Sequence, residues 1–79
     1  MHAGKYFYVV TLRYSPETSG SGAAHTTARA NLTLLSDKPR GEVVEEIIRV
    51  VDETAKEAAP LNISRDAVPN VLFLYLEPQ

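Results

Sequence analysis

The sequence predicts one α+β domain with the element order β-β-α-β. Three segments, residues 6–14, 26–35 and 71–76, are rich in β-branched and aromatic side chains or alternate between apolar and polar ones, as strands do. A fourth segment, residues 42–58, repeats its apolar side chains at helical spacing. A chain of 79 residues suits a single domain, spanning residues 1–79, with a modest core.

The first strand is predicted to lie in the middle of the sheet. Residues 6–14 are apolar at both sets of alternating positions for most of their length, and such a strand is usually covered on both sides. The second strand alternates more regularly, with Ala28, Ala30 and Leu32 between polar residues. We therefore expect a three-stranded, mainly antiparallel sheet in the order 2-1-3. A loop rich in Ser and Gly, residues 15–22, would join the first two strands.

One helix is predicted to cover one face of this sheet. Pro39 suits the first turn of a helix, and Pro60 is expected to end it. Two pairs are spaced to form ion pairs along the helix, Glu45 with Arg49 and Asp52 with Lys56. The apolar stripe of the helix consists of Val43, Ile47, Val50, Val51, Thr54 and Ala58, and it is widened by Val44, Ile48 and Ala55.

The side chains of the sheet divide into two faces. The face expected to pack under the helix contains Val10, Leu12, Ala30, Leu32, Leu34, Leu72, Leu74 and Leu76. Because so short a chain has nothing left to cover the reverse face, that face is predicted to be an interaction surface. Its residues are Phe7, Val9, Thr11, Arg13, Arg29, Asn31, Val71, Phe73 and Tyr75.

Three parts of the sequence resemble those of known small proteins. The N-terminal aromatic strand, the helix start Pro-Arg-Gly-Glu-Val at residues 39–43 and the closing segment Val-Leu-Phe-Leu-Tyr-Leu-Glu-Pro at residues 71–78 are similar to those of uncharacterised proteins of actinobacteria and their phages. The long Ser/Gly loop departs from the shorter versions in that group. The resemblance implies a bacterial or phage origin and carries no activity, cofactor or catalytic residue.

The sequence holds few groups suited to catalysis or metal binding. It has no cysteine and two histidines, and neither histidine has the spacing to a second ligand that metal sites use. His25, beside the Ser/Gly loop, could act with Ser21 or Thr27 and Glu17, but a solvated loop histidine is the favoured interpretation. We therefore expect a protein that is not an enzyme and has no cofactor and no metal site.

Localisation is predicted from the absence of address signals. The N-terminal residues lack the basic and apolar regions of a signal peptide, and no apolar run is long enough to span a bilayer. The expectation is a cytoplasmic protein with no membrane partner.

Three kinds of partner remain open. A second copy of the chain, forming a homodimer or small homo-oligomer, is favoured because small domains gain stability from an interface. A host or phage protein, regulated or inhibited by this chain, is the next alternative. Single-stranded nucleic acid is the third, since sheet aromatics beside Arg13 and Arg29 can stack bases. The helix carries six acidic and two basic residues, so positive charge is concentrated on the sheet side, but it is sparse for phosphate binding.

Overall fold

The computed structural model describes residues 1–14, 24–59, 63 and 65–79. Within them the chain forms strand β1, Gly4–Tyr14; strand β2, Ala24–Leu34; helix α1, Arg40–Ala58; and strand β3, Asn70–Pro78. The sheet order is β2-β1-β3, and both pairings are antiparallel. The predicted fold class is thereby confirmed. The Ser/Gly loop and Pro60 lie outside the described residues.

β1 is the central strand, as its two apolar faces predict. It pairs along its whole length with β2, from Gly4 opposite Leu34 to Tyr14 opposite Ala24. On its other side it pairs with β3, beginning with Tyr6 opposite Pro78. A β1 residue and its opposite neighbours share one face of the sheet, so these registers decide which side chains lie together.

Helix α1 packs on one face of the sheet through a single row of side chains. Pro39 occupies the N-cap position, where its lack of an N–H costs nothing. The buried residues of the helix are Val43, Ile47, Val51 and Ala55, which are four residues apart. The predicted stripe was too wide, since Val50 is 41% exposed. Arg49 pairs with Glu46 and Glu53 rather than with Glu45 as predicted. No helix in the described part of the chain is long and apolar enough to cross a membrane.

The core lies between this row and the helix-facing side of β1. Val10, Leu12 and Tyr14 are fully buried there, because they occupy the middle strand directly beneath the helix. Half-buried side chains of the two outer strands complete the core, namely Ala28, Ala30, Leu32, Leu74 and Leu76. The predicted core side of the sheet is therefore confirmed except at one residue, Leu72.

Leu72 is the extra residue of a β-bulge in β3. Thr11 pairs with Phe73, but the next β1 residue, Leu12, pairs with Val71, so the register shifts by one. Leu72 has no β1 residue of its own and is 55% exposed, contrary to its predicted place in the core. The same shift moves Val71 to the side of the buried Leu12. Strict alternation along β3 could not reveal this, because a bulge reverses the phase of the pattern.

A polar contact fastens the helix over the end of β1. The Tyr14 hydroxyl donates a hydrogen bond to Asp52 Oδ1 at 2.6 Å. Lys56 Nζ binds the other carboxylate oxygen of Asp52 at 3.1 Å, as the predicted ion pair requires, and donates to the Ala67 carbonyl at 2.7 Å. Burial, and then the hydrogen bond to Asp52, raise the pKa of Tyr14 far above its ordinary value. The contact joins β1, α1 and the segment before β3.

Replacing Tyr14 by Phe should lower the free energy of unfolding by about 1.5–3 kcal/mol, the usual cost of losing a buried hydrogen bond to a charged group. Tyr75→Phe is the matched control, because its hydroxyl bonds a carboxylate at the exposed surface. The control should change the free energy of unfolding by less than about 0.5 kcal/mol. Urea denaturation followed by circular dichroism measures both, and equal losses would contradict the proposed contact.

Candidate functional site: the outer face of the sheet

The face of the sheet opposite the helix, here called the outer face, is built around the alternate residues of β1. Phe7, Val9 and Thr11 alternate with residues that are buried beneath the helix, so their side chains point the other way. They are half-buried, because strands flank them on both sides. They form the central row of the outer face.

The registers place one residue of β2 and one of β3 beside each member of this row. No bulge intervenes here, so the three residues of each rung share one side of the sheet. The rungs are Asn31–Phe7–Glu77, Arg29–Val9–Tyr75 and Thr27–Thr11–Phe73. The β2 row is therefore polar, the β1 row largely apolar, and the β3 row aromatic with one carboxylate.

Aromatic surface is exposed along the β3 row. Phe73 is 54% exposed and Tyr75 is 45% exposed, and they lie two residues apart on the same edge. Together with Phe7 and Val9 they make a contiguous apolar patch. A contiguous exposed apolar patch marks an interaction site. Apolar residues exposed singly are normal on protein surfaces and carry no such meaning.

Hydrogen bonds fix the polar side chains that surround the patch. Thr11 Oγ1 and Thr27 Oγ1 are 2.9 Å apart and form a hydrogen bond across β1 and β2. Gln79 Nε2 donates to Asn31 Oδ1 at 2.8 Å, which crosses the end of the sheet. The outer face therefore presents preset polar groups around its apolar centre.

Tyr75 and Glu77 form a third contact on this face. The Tyr75 hydroxyl donates to Glu77 Oε2 at 2.5 Å, two residues along the same strand. This hydrogen bond and the negative charge of Glu77 raise the pKa of Tyr75. The pair holds the tyrosine ring in place and adds a carboxylate to the patch.

Most of the predicted surface residues come together on the outer face. Arg13 lies on the same side, because it alternates with the buried Leu12 and Tyr14, and it pairs with His25 and Asn70 at the end of the sheet. One residue differs. Val71 is displaced by the bulge to the helix side, where it pairs with Leu12. The rungs unite the other seven: Phe7, Val9, Thr11, Arg29, Asn31, Phe73 and Tyr75.

Sequence reasoning missed Glu77 as a member of this face. The predicted strand stopped at residue 76 because Pro78 follows closely, whereas β3 continues to Pro78 itself. Proline is compatible with the end of an edge strand, and β3 is one. Continuing the alternation two residues beyond Tyr75 would have identified Glu77.

The alternative chemistry suggested by His25 has no assembled site among the described residues. His25 is exposed and stands at the start of β2, opposite Arg13. Two of the groups expected beside it, Glu17 and Ser21, lie outside the described part of the chain. Among the residues that are described, no three His, Asp or Glu side chains are close enough to hold a metal ion.

No family model matches the sequence, and neither the curated proteins nor the solved structures contain a significant match. The functional assignment therefore rests on the residues of the outer face.

Replacing Glu77 by Gln should lower the pKa of Tyr75 toward its ordinary value of 10.0, because the carboxylate favours the protonated phenol. An NMR titration of the tyrosine ring carbons measures it. Glu45→Gln, an exposed change on the helix, should leave the pKa of Tyr75 unaltered. An unchanged pKa in Glu77→Gln would show that the two side chains do not meet on this face.

Proposed function

We propose that this protein is a non-enzymatic interaction module that forms a homodimer through the outer face of its sheet. The observation that carries the proposal is the exposed aromatic row of Phe73 and Tyr75 beside Phe7 and Val9, on the side of the sheet opposite helix α1. Burying apolar surface is the main driving force for protein association. The cytoplasm, expected from the sequence, is the proposed location.

A second copy suits this face because its two outer rows differ in chemistry. A two-fold axis along β1 would place the polar β2 row of one copy over the aromatic β3 row of the other. Arg29 would then lie over Tyr75 of the second copy, a favourable cation–π arrangement. Asn31 would face Glu77 of the second copy, where its amide can donate to the carboxylate. Both contacts occur twice in the dimer.

The size of the face predicts a reversible association. Three strands spaced about 4.8 Å apart present a surface only about 14 Å wide. Stable interfaces bury about 800 Å² on each partner, and so narrow a surface barely provides that area. The dimer should therefore form and dissociate with concentration rather than be permanent.

Single-stranded nucleic acid is the second candidate occupant, favoured by the exposed rings of Phe73 and Tyr75 next to Arg29. Glu77 argues against it, because this carboxylate stands on the same face and repels phosphate. A host protein, the role suggested for a phage-encoded regulator, would use the same apolar patch. We favour the second copy because each charged residue of the rungs meets a favourable uncharged partner across the two-fold axis, Arg29 the ring of Tyr75 and Glu77 the amide of Asn31.

Replacing Phe73 by Asp should weaken self-association through the outer face by at least tenfold, since the new charge would be buried against apolar surface. Sedimentation velocity over a range of concentrations measures the dissociation constant. The matched control is Val68→Asp, which adds the same charge at an exposed apolar residue outside the strands.

The control should associate as the wild type does. A wild type that remains monomeric at all concentrations would remove the homodimer and direct attention to a heterologous protein partner. Circular dichroism confirms that each variant is folded, and Phe73→Ser provides a milder change at the same place.

If nucleic acid is the ligand instead, a labelled single-stranded oligonucleotide should bind at low salt, weaken as salt rises, and lose most of its affinity in Arg29→Glu. Lys38→Glu, which removes a positive charge away from the sheet, is the matched control. Fluorescence anisotropy measures the binding. Absence of any anisotropy change at low salt rules out this alternative.

A further inference from the structure

The outer edge of β2 is a second unpaired surface, distinct from the outer face. β2 hydrogen-bonds to β1 on one side only, so alternate residues direct their N–H and C=O groups away from the sheet. No strand within the described residues pairs with this edge. Eleven residues of strand are thus available as a template for another strand.

The two edges of the sheet differ in how they are protected. β3 carries a bulge at Leu72 and ends in Glu77 and Pro78. Bulges, charged side chains and prolines are features by which edge strands avoid pairing with a further strand. β2 is regular in its pairing with β1 and contains neither proline nor glycine. Its lone Lys or Arg residue is Arg29. Among the described residues, the β2 edge therefore has fewer features that oppose further pairing than the β3 edge has.

The helix side of β2 also has room for extra side chains. A groove of about 340 Å³ separates the strand from α1. Ala28 and Ala30 form its floor, and Val50, Thr54 and Ala58 are among the helix residues that form its wall. Small side chains create this space, and it explains why Val50 is exposed although its position is apolar.

We propose that β2 pairs antiparallel with β2 of a second copy, about a two-fold axis at Ala30. In this register residues 26–34 of both copies form one ladder. On the helix side Leu32 of each copy lies opposite Ala28 of the other and enters the groove. On the outer side Arg29 lies opposite Asn31, and Thr27 lies opposite Thr33. The small residues of one copy thereby accommodate the large residues of the other.

Neighbouring registers fit less well. An axis at Arg29 would place the two arginines directly opposite each other, and like charges in that position are unfavourable. An axis at Asn31 would shorten the ladder to residues 28–34 and leave Thr26 and Thr27 unpaired. The register centred on Ala30 is the one that avoids the repulsion and keeps the longer ladder.

This pairing extends the outer face as well as the edge. Two sheets joined through β2 make one sheet of six strands, about 29 Å wide, with both helices on the same side. The outer faces then form a continuous surface with twice the area for docking. The face axis runs along β1 and the edge axis lies beyond β2, so the two do not intersect, and both pairings together would generate an open array of copies rather than a closed assembly.

A single spin label tests the edge pairing and its register, because the chain has no cysteine of its own. The variant is His25→Cys in the Phe73→Asp background, which removes face pairing; Phe73→Ser replaces Phe73→Asp if that variant is unfolded. The proposed register separates the two labels by ten residues along the ladder, about 34 Å. Axes at Arg29 and Asn31 predict about 27 Å and 41 Å instead, and face pairing predicts about 14 Å.

A charge pair at one position provides an independent measure. Asn31→Glu places carboxylates opposite Arg29 of the second copy, so edge association in the Phe73→Asp background should tighten by roughly 2- to 30-fold. Asn31→Arg places an arginine opposite Arg29 of the second copy, so it should weaken edge association by a similar factor. Face pairing predicts the opposite signs, since there Asn31 faces Glu77.

The two interfaces can therefore fail separately. A Phe73→Asp protein that sediments only as a monomer, while the wild type dimerises, overturns edge pairing and leaves face pairing intact. A dimer that is unchanged by Phe73→Asp and shows a label distance of about 34 Å supports edge pairing and removes the face dimer. Equal effects of Asn31→Glu and Asn31→Arg overturn the register centred on Ala30.

Discussion

Helix α1 contributes a single row of buried side chains, and this row can cover only one of the two faces of the sheet. Val43, Ile47, Val51 and Ala55 are the buried residues of α1, and they pack where β1 is fully buried. Because β1 is apolar on both sides, its other face is either exposed to solvent or covered by a partner. Within the described residues no second helix covers the outer face, so aromatic side chains are exposed there.

The polar contact of Tyr14, Asp52 and Lys56 helps to decide where the helix lies. It ties α1 to the end of β1 and to the segment that leads into β3. With the helix held over β1, a groove remains between α1 and the alanines of β2, beside Val50. The hydrogen bond of the buried Tyr14 hydroxyl therefore influences the shape of the surface that a second copy would contact.

A domain of this size gains from sharing surface. Its core consists of a few side chains from each element, so intrachain burial contributes limited stability. The outer face offers aromatic area, and the edge of β2 offers backbone groups that no strand in the described part of the chain pairs. Association through either one would add the contacts that the chain cannot make with itself, which links the proposed function to the energetics of the fold.

The sequence by itself determined the order of elements, the central place of β1 and the helix-facing side of the sheet, because these depend on the local periodicity of apolar residues. Alternation along β1 and β2 likewise placed Phe7, Val9, Arg29 and Asn31 on one face. Only the tertiary structure decided the phase of β3, where the bulge at Leu72 depends on pairing with β1. It also decided that Val50 faces the groove, since the position of a helix over a sheet is set by packing between distant residues.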